Sequence, residues 1–164
     1  MTTQYTRAQL TQTRAVRCVR RAGRAAELGT AAFNIFTVAN GVVAIRYMFG
    51  VCTQLIAGTA LPRLQFTPTG GALTPLCAAA ADIDTDAVNS MYCWTGLVGG
   101  ALTVSAVIGL LDLAANSVWH GSYNTMVPGI ISVTDATGVA VTGGLIDWYV
   151  IYVPLVDTAV ITAL

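Results

Sequence analysis

A chain of 164 residues is long enough for one domain with its own hydrophobic core, so it does not depend on disulfides or metal ions for stability. Its residues are 55% hydrophobic and only 10% charged, against about 25% charged in a free-standing soluble monomer, so we expect obligate assembly. All eight basic residues are arginines at or before Arg63, and seven of the eight acids follow it, so the front of the chain carries +7 and the back −7.

The first thirty residues are predicted to form a basic helical arm, separate from a β-domain over residues 31–164. Residues 6–27 contain good helix formers and no proline, and Gly29 follows where a C-cap glycine belongs. On a helix, six arginines share an arc of about 140° and small apolar residues occupy the other side. We interpret this stripe as a partner-binding surface, formed by Arg7, Arg14, Arg17, Arg20, Arg21 and Arg24.

From Phe33 onward the pattern changes to short strands separated by Gly, Thr, Asn and Pro. Asn40-Gly41 predicts a hairpin between the first two strands. A short helix is predicted over residues 73–81, and residues 108–116 suit helix or strand equally well. The predicted strands are 33–38, 42–49, 51–56, 61–67, 89–95, 102–108, 126–133, 139–142, 144–155 and 159–162.

The strand over residues 144–155 is the clearest of these, because β-branched and aromatic residues fill it and Pro154 ends it. Both of its faces are largely apolar, which indicates a place inside a sandwich or at a subunit contact. We therefore predict an all-β protein, an antiparallel sandwich or barrel of jelly-roll-like type. The residues assigned to the core or to an oligomer interface are Trp148, Tyr149, Val150, Ile151 and Tyr152.

Candidate chemical sites are few, and we expect no catalytic, cofactor-binding or metal-binding residues. Asp82, Asp84 and Asp86 alternate as in a calcium loop, but the glycine and the distal glutamate of that motif are missing, which favours a solvated turn. His120 has Asp112, Ser117 and Ser122 nearby in sequence, and we interpret it as a loop or core histidine. The aromatic residues that a sugar platform could use are Tyr92, Trp94, Trp119, Tyr123, Trp148 and Tyr149; we expect core or interface instead.

The four cysteines and the hydropathy add two exclusions. Cys18, Cys52, Cys77 and Cys93 form no CxxC pair, which argues against zinc and leaves buried thiols or a single disulfide. The longest uncharged run, residues 87–111, contains four glycines and several polar residues, and aspartates flank it. We expect no transmembrane span there.

Several segments resemble a family of small virion proteins of tailed phages, often taken for head-decoration or auxiliary proteins. The segments are FTVANGVV (36–43), LPRLQFTPTGGALTPLCAAAADI (61–83), DAVNSMYCWTG (86–96), VPGII (127–131) and DWYVIYVPLVD (147–157). Family members usually begin close to the first strand, so the resemblance does not explain the arm. They also tend to read VPAGTI where this chain has a shorter turn at residues 126–131.

The resemblance implies a non-enzymatic virion protein that decorates and cements a phage head by binding between major capsid subunits. We expect a homo-oligomer, with a trimer favoured, located on the head surface, and neither nucleic acid nor membrane as a partner. Alternatives are a tail- or head-associated module that recognises host carbohydrate, an internal head protein with its arm on DNA, and a small membrane protein. The sequence leaves open whether the arm contacts protein or DNA.

Overall fold

The computed structural model describes residues 15–24, 27–29, 31–97, 99–105, 124–138, 141 and 143–164. Within them the chain is all-β, with two antiparallel sheets in a sandwich-like arrangement, which confirms the all-β, antiparallel part of the predicted fold. The first sheet contains β1 (Arg17–Arg21), β10 (Gly143–Pro154), β3 (Val43–Ala57), β6 (Met91–Trp94) and β7 (Thr103–Val104) in that order, with β8 (Asn124–Met126) also on β3. The second sheet contains β11 (Val160–Ala163), β2 (Phe33–Ala39), β9 (Gly129–Asp135), β4 (Pro62–Pro68) and β5 (Thr74–Pro75).

One hydrophobic core lies between the sheets. Side chains alternate along each strand, so the first sheet contributes Met48, Trp148 and Val150, and the second contributes Phe36 and Ile131. Gly50 lies opposite Trp148 in the β3–β10 register, and a Cβ there would approach the indole ring to 3.0 Å. A glycine at this position therefore makes room for the largest side chain of the core.

The predicted helix over residues 6–27 is wrong where the structure describes it. Arg17–Arg21 form strand β1, which pairs antiparallel with β10 from Arg17↔Tyr152 to Arg21↔Trp148. Strand pairing satisfies backbone groups along β10 and brings the arginines to acidic partners, and this tertiary context outweighs local helix propensity. The remainder of the predicted helix, with Arg7 and Arg14, lies outside the described residues.

The predicted hairpin at Asn40-Gly41 is also wrong, although the turn chemistry is right. Asn40 has φ 59° and Gly41 has φ 139°, the positive angles that this dipeptide accommodates. However, β2 belongs to the second sheet and β3 to the first. The dipeptide therefore marks a corner where the chain changes sheets, and not a pairing of neighbouring strands.

Two further elements differ from prediction. The strands predicted over residues 42–49 and 51–56 form one strand, β3, of 15 residues, since Gly50 continues the ladder. The helix predicted over residues 73–81 is absent from that stretch, where Thr74 and Pro75 form β5 and the residues after them are irregular. Residues 108–116 lie outside the described part of the chain.

Candidate interaction surfaces

Strand β1 joins the open edges of the two sheets through its arginines. Arg17 and Arg21 point to the inner side of β1, and each donates a hydrogen bond to a backbone carbonyl at one end of β11, in the other sheet. The distances are 3.4 Å from Arg17 Nη1 to Ala159 O and 3.4 Å from Arg21 Nε to Leu164 O. Two of the six predicted partner-binding arginines thus contact their own chain.

Arg21 also belongs to a buried charged cluster. Its guanidinium is 2% exposed, donates to the carboxylate of Glu27 and lies 4.7 Å from the centre of the Phe33 ring. Glu27 additionally accepts from Trp148 Nε1 at 3.1 Å and from the Arg24 backbone N at 3.0 Å. A carboxylate with this many donors is fully satisfied in the absence of water. The cluster fastens β1 to the core.

Arg20 points to the opposite side of β1. Its Nε and Nη2 donate to one carboxylate oxygen of Asp147 at 2.9 and 2.6 Å, and the pKa of Arg20 is raised by this bond. The other carboxylate oxygen accepts from the Gly23 backbone N at 2.8 Å. The charge split along the sequence is therefore partly neutralised within one chain, where front and back meet. Arg24 has an exposed side chain, whereas Arg7 and Arg14 lie outside the described residues.

The outer face of the first sheet is apolar. Along β10 the side chains alternate, so Trp148, Val150 and Tyr152 are buried while Tyr149 and Ile151 lie on the outer side and are half-buried. Phe49 stacks on Tyr149 with ring centres 4.9 Å apart. We define this outer face by Cys18, Arg20, Ala44, Tyr47, Phe49, Val51, Met91, Cys93, Asp147, Tyr149, Ile151 and Val153.

The outer face of the second sheet differs in chemistry. It carries Asn34, Gln65, Ser132 and Thr134, and the last three are buried. On the outer face of the first sheet, burial raises the pKa of Tyr47 to about 12 and that of Cys93 to about 11, so both groups are neutral near pH 7. Among the described residues, the outer face of the first sheet is therefore apolar and half-buried at its centre, whereas that of the second sheet is polar.

A second apolar surface lies at the end of the sandwich where Asn40-Gly41 changes sheets. Val42 precedes β3 and lies between the chain leaving β8 and the chain leaving β10, because Met126 and Pro154 both pair with Val43. Leu155 N donates to Val42 O at 2.9 Å, and Val156 lies against Gly41. The residues of this apolar end patch are Val42, Val127, Leu155 and Val156, of which the last three are 41 to 48% exposed.

The opposite end of the sandwich is acidic. Asp82 accepts from the backbone N of Ala60 and of Asp84 at 3.0 Å each, and Asp84 accepts from Gly58 N at 2.9 Å. The bonds from Ala60 and Asp84 lower the pKa of Asp82, whereas burial raises the pKa of Asp86. These carboxylates brace the loop against the end of β3. Within the described ranges, no three His, Cys, Asp or Glu side chains are grouped so that they could hold a metal ion.

The remaining candidates are placed as follows. Trp94 is 4% exposed and its Nε1 donates to Leu76 O at 3.1 Å, so it cannot stack on a sugar; Tyr92 and Trp148 are buried as well. Cys52, Cys77 and Cys93 are buried free thiols and Cys18 is an exposed one. His120, Trp119, Tyr123, Asp112, Ser117 and Ser122 lie outside the described residues. In the described part of the chain, no helix has the length and apolar character that a membrane crossing requires.

The comparisons with known proteins give no relative. No family model, curated protein or solved structure matches the chain. The sequence alone did not predict the two apolar surfaces. Strand alternation indicates that Tyr149 and Ile151 point away from Trp148 and Val150, but only the sheet order shows which strands lie beside β10.

Proposed function

We propose that this chain is a non-enzymatic structural protein of a tailed-phage virion, which binds the outside of the head between major capsid subunits and cements them. The observation that carries this proposal is the apolar end patch. Monomeric proteins rarely group exposed apolar side chains without a partner, and a patch at one end of the sandwich suits insertion at a junction between neighbouring subunits. The jelly-roll-like topology belongs to the same proposal.

Placement on a phage head comes from the resemblance of five segments to small virion proteins, and the low charge agrees with a surface that is covered in an assembly. The structure also bears on the DNA alternative. Arg21 is buried on Glu27, and the exposed Arg17 and Arg20 already donate to acceptors in their own chain, so a phosphate would have to compete with these contacts. We therefore favour protein contact over nucleic acid, and assign the exposed Arg24 to the partner-facing set with Arg7 and Arg14.

Leu155→Asp with Val127→Asp is expected to weaken head binding by about 500-fold or more. The reason is that central apolar contacts dominate interface energies, with about 2 kcal/mol or more lost at each such position, and a buried unpaired carboxylate adds a desolvation cost. The measurement is co-sedimentation of the purified full-length protein with mature heads that lack it.

The matched control is Leu55→Asp, because Leu55 is 52% exposed near the acidic end of the sandwich. It should bind heads as the natural chain does. Retained binding by the Val127/Leu155 variant would move the docking site away from the apolar end patch. A folded natural chain that binds no heads at all would overturn the proposal of decoration. Truncation of the arm is a poor test, since it removes strand β1 from the first sheet.

A further inference from the structure

The outer face of the first sheet has an apolar centre that stays only half-buried within the chain. Its centre is the stacked pair Phe49 and Tyr149, with Val51, Ile151 and Met91 around it, all half-buried. In an ordinary two-sheet protein the outward face of such a sheet carries polar residues, because water covers it. Here it resembles the inner face of a sandwich.

The electrostatics of this face suit a copy of itself. Near its centre the charged side chains are Arg20 and Asp147, which form an ion pair within the chain. Two identical faces can therefore meet there without opposing these charges, whereas an acidic or basic partner would find no free counter-charge in this pair. Edge-to-edge pairing of the first sheets of two copies is less favourable. Arg17 and Arg20 place charge on the β1 edge, and β7 at the other edge has only two residues with which to pair.

The outer face of the first sheet is close to the size that a specific interface requires. With five residues in β1, four in β6 and about eight in each of β10 and β3, a rise of about 3.3 Å and a strand spacing of about 4.8 Å give a flat footprint of roughly 400 Å² per copy. Because protruding side chains raise accessible area above a flat projection, two copies approach the total of about 1,000 Å² that a specific interface requires. A single self-complementary face closes around a two-fold axis, whereas a ring of three needs two different complementary surfaces.

We propose that two copies of this chain pack the outer faces of their first sheets against each other about a two-fold axis, burying Phe49, Tyr149 and Ile151. The contact is a sheet-on-sheet interface like the one inside each sandwich. It predicts a dimer where the sequence favoured a trimer, and it stands independently of what the apolar end patch binds.

Sedimentation equilibrium of the full chain tests this contact. The natural protein, 17.1 kDa per chain, should sediment at twice that mass at micromolar concentration. Phe49→Arg should weaken the dimer at least about 100-fold, because the two-fold axis brings two uncompensated like charges together in a desolvated contact. The matched control is Thr37→Arg on the outer face of the second sheet, which should remain dimeric.

A second measurement needs no substitution in the interface. Cys18 is exposed in the single chain and lies on the outer face of the first sheet, so its alkylation by iodoacetamide should slow as the protein concentration rises through the dimer range. A natural chain that stays monomeric, a dimer that Phe49→Arg leaves intact, or alkylation independent of concentration would each overturn the proposal. Head binding by a monomer would still support decoration, so the two proposals fail separately.

Discussion

Glu27→Ala is expected to destabilise the protein by about 3–5 kcal/mol, which is the usual cost of removing one partner from a buried ion pair. The substitution leaves the guanidinium of Arg21 buried without its carboxylate, and it removes the acceptor of Trp148 Nε1. Domains of this size have a free energy of unfolding of about 5–15 kcal/mol, so a large part of the stability is lost. Urea unfolding followed by tryptophan fluorescence measures the change.

Two comparisons separate this cause from a general loss of stability. Arg24→Ala changes an exposed side chain three residues away and should alter the free energy of unfolding by less than about 0.5 kcal/mol. Arg21→Met combined with Glu27→Leu should cost less than Glu27→Ala alone, because no uncompensated charge remains. If Glu27→Ala costs less than about 1 kcal/mol, the buried cluster does not fasten β1.

Trp148→Ala and Tyr149→Ala, neighbours in sequence, are expected to act on different properties. Trp148 is fully buried in the core, so its truncation should cost about 3–5 kcal/mol of unfolding free energy. Tyr149 lies on the outer face of the first sheet beside Phe49, so its truncation should cost about 1 kcal/mol in the monomer and weaken self-association. Thermal unfolding at low protein concentration, where the monomer dominates, isolates the stability term.

The contrast between these two substitutions tests the assignment of inner and outer faces. Equal losses of stability would mean that both side chains are enclosed, and the outer face of the first sheet would then be a second core and not an interface. A greater effect of Tyr149→Ala than of Trp148→Ala would reverse the assignment of the two faces of β10.

The sequence predicts the alternation of β10 well, because period-2 apolar residues bounded by glycines and Pro154 leave few alternatives. From the sequence, Trp148–Tyr152 could lie either in the core or at an interface. The structure places Trp148, Val150 and Tyr152 in the core, and Tyr149 and Ile151 on the outer face of the first sheet. The choice depends on sheet order, in which β10 lies between β1 and β3. No local pattern encodes that order.

The wrong predictions of secondary structure occurred where the same local sequence pattern is compatible with two different tertiary arrangements. The Asn40-Gly41 dipeptide needs positive φ angles in a hairpin and equally in a corner between sheets. Arg17, Arg20 and Arg21 suit a helical stripe, but at β1 they point to both sides of a strand and reach Asp147, Glu27 and β11. Those acceptors are remote in sequence, apart from Glu27, and so the stripe alone could not reveal them.

The most direct test of the central claim is the heat resistance of phage heads. Heads that lack this protein would be saturated with the full-length chain, heated, and monitored for DNA release with an intercalating dye. A protein that bridges capsid subunits binds the intact lattice in preference to the opened one, so the release temperature should rise with occupancy. If the bound protein leaves the release temperature unchanged, the result would contradict cementing, and the protein would then bind the head surface without stabilising the capsid.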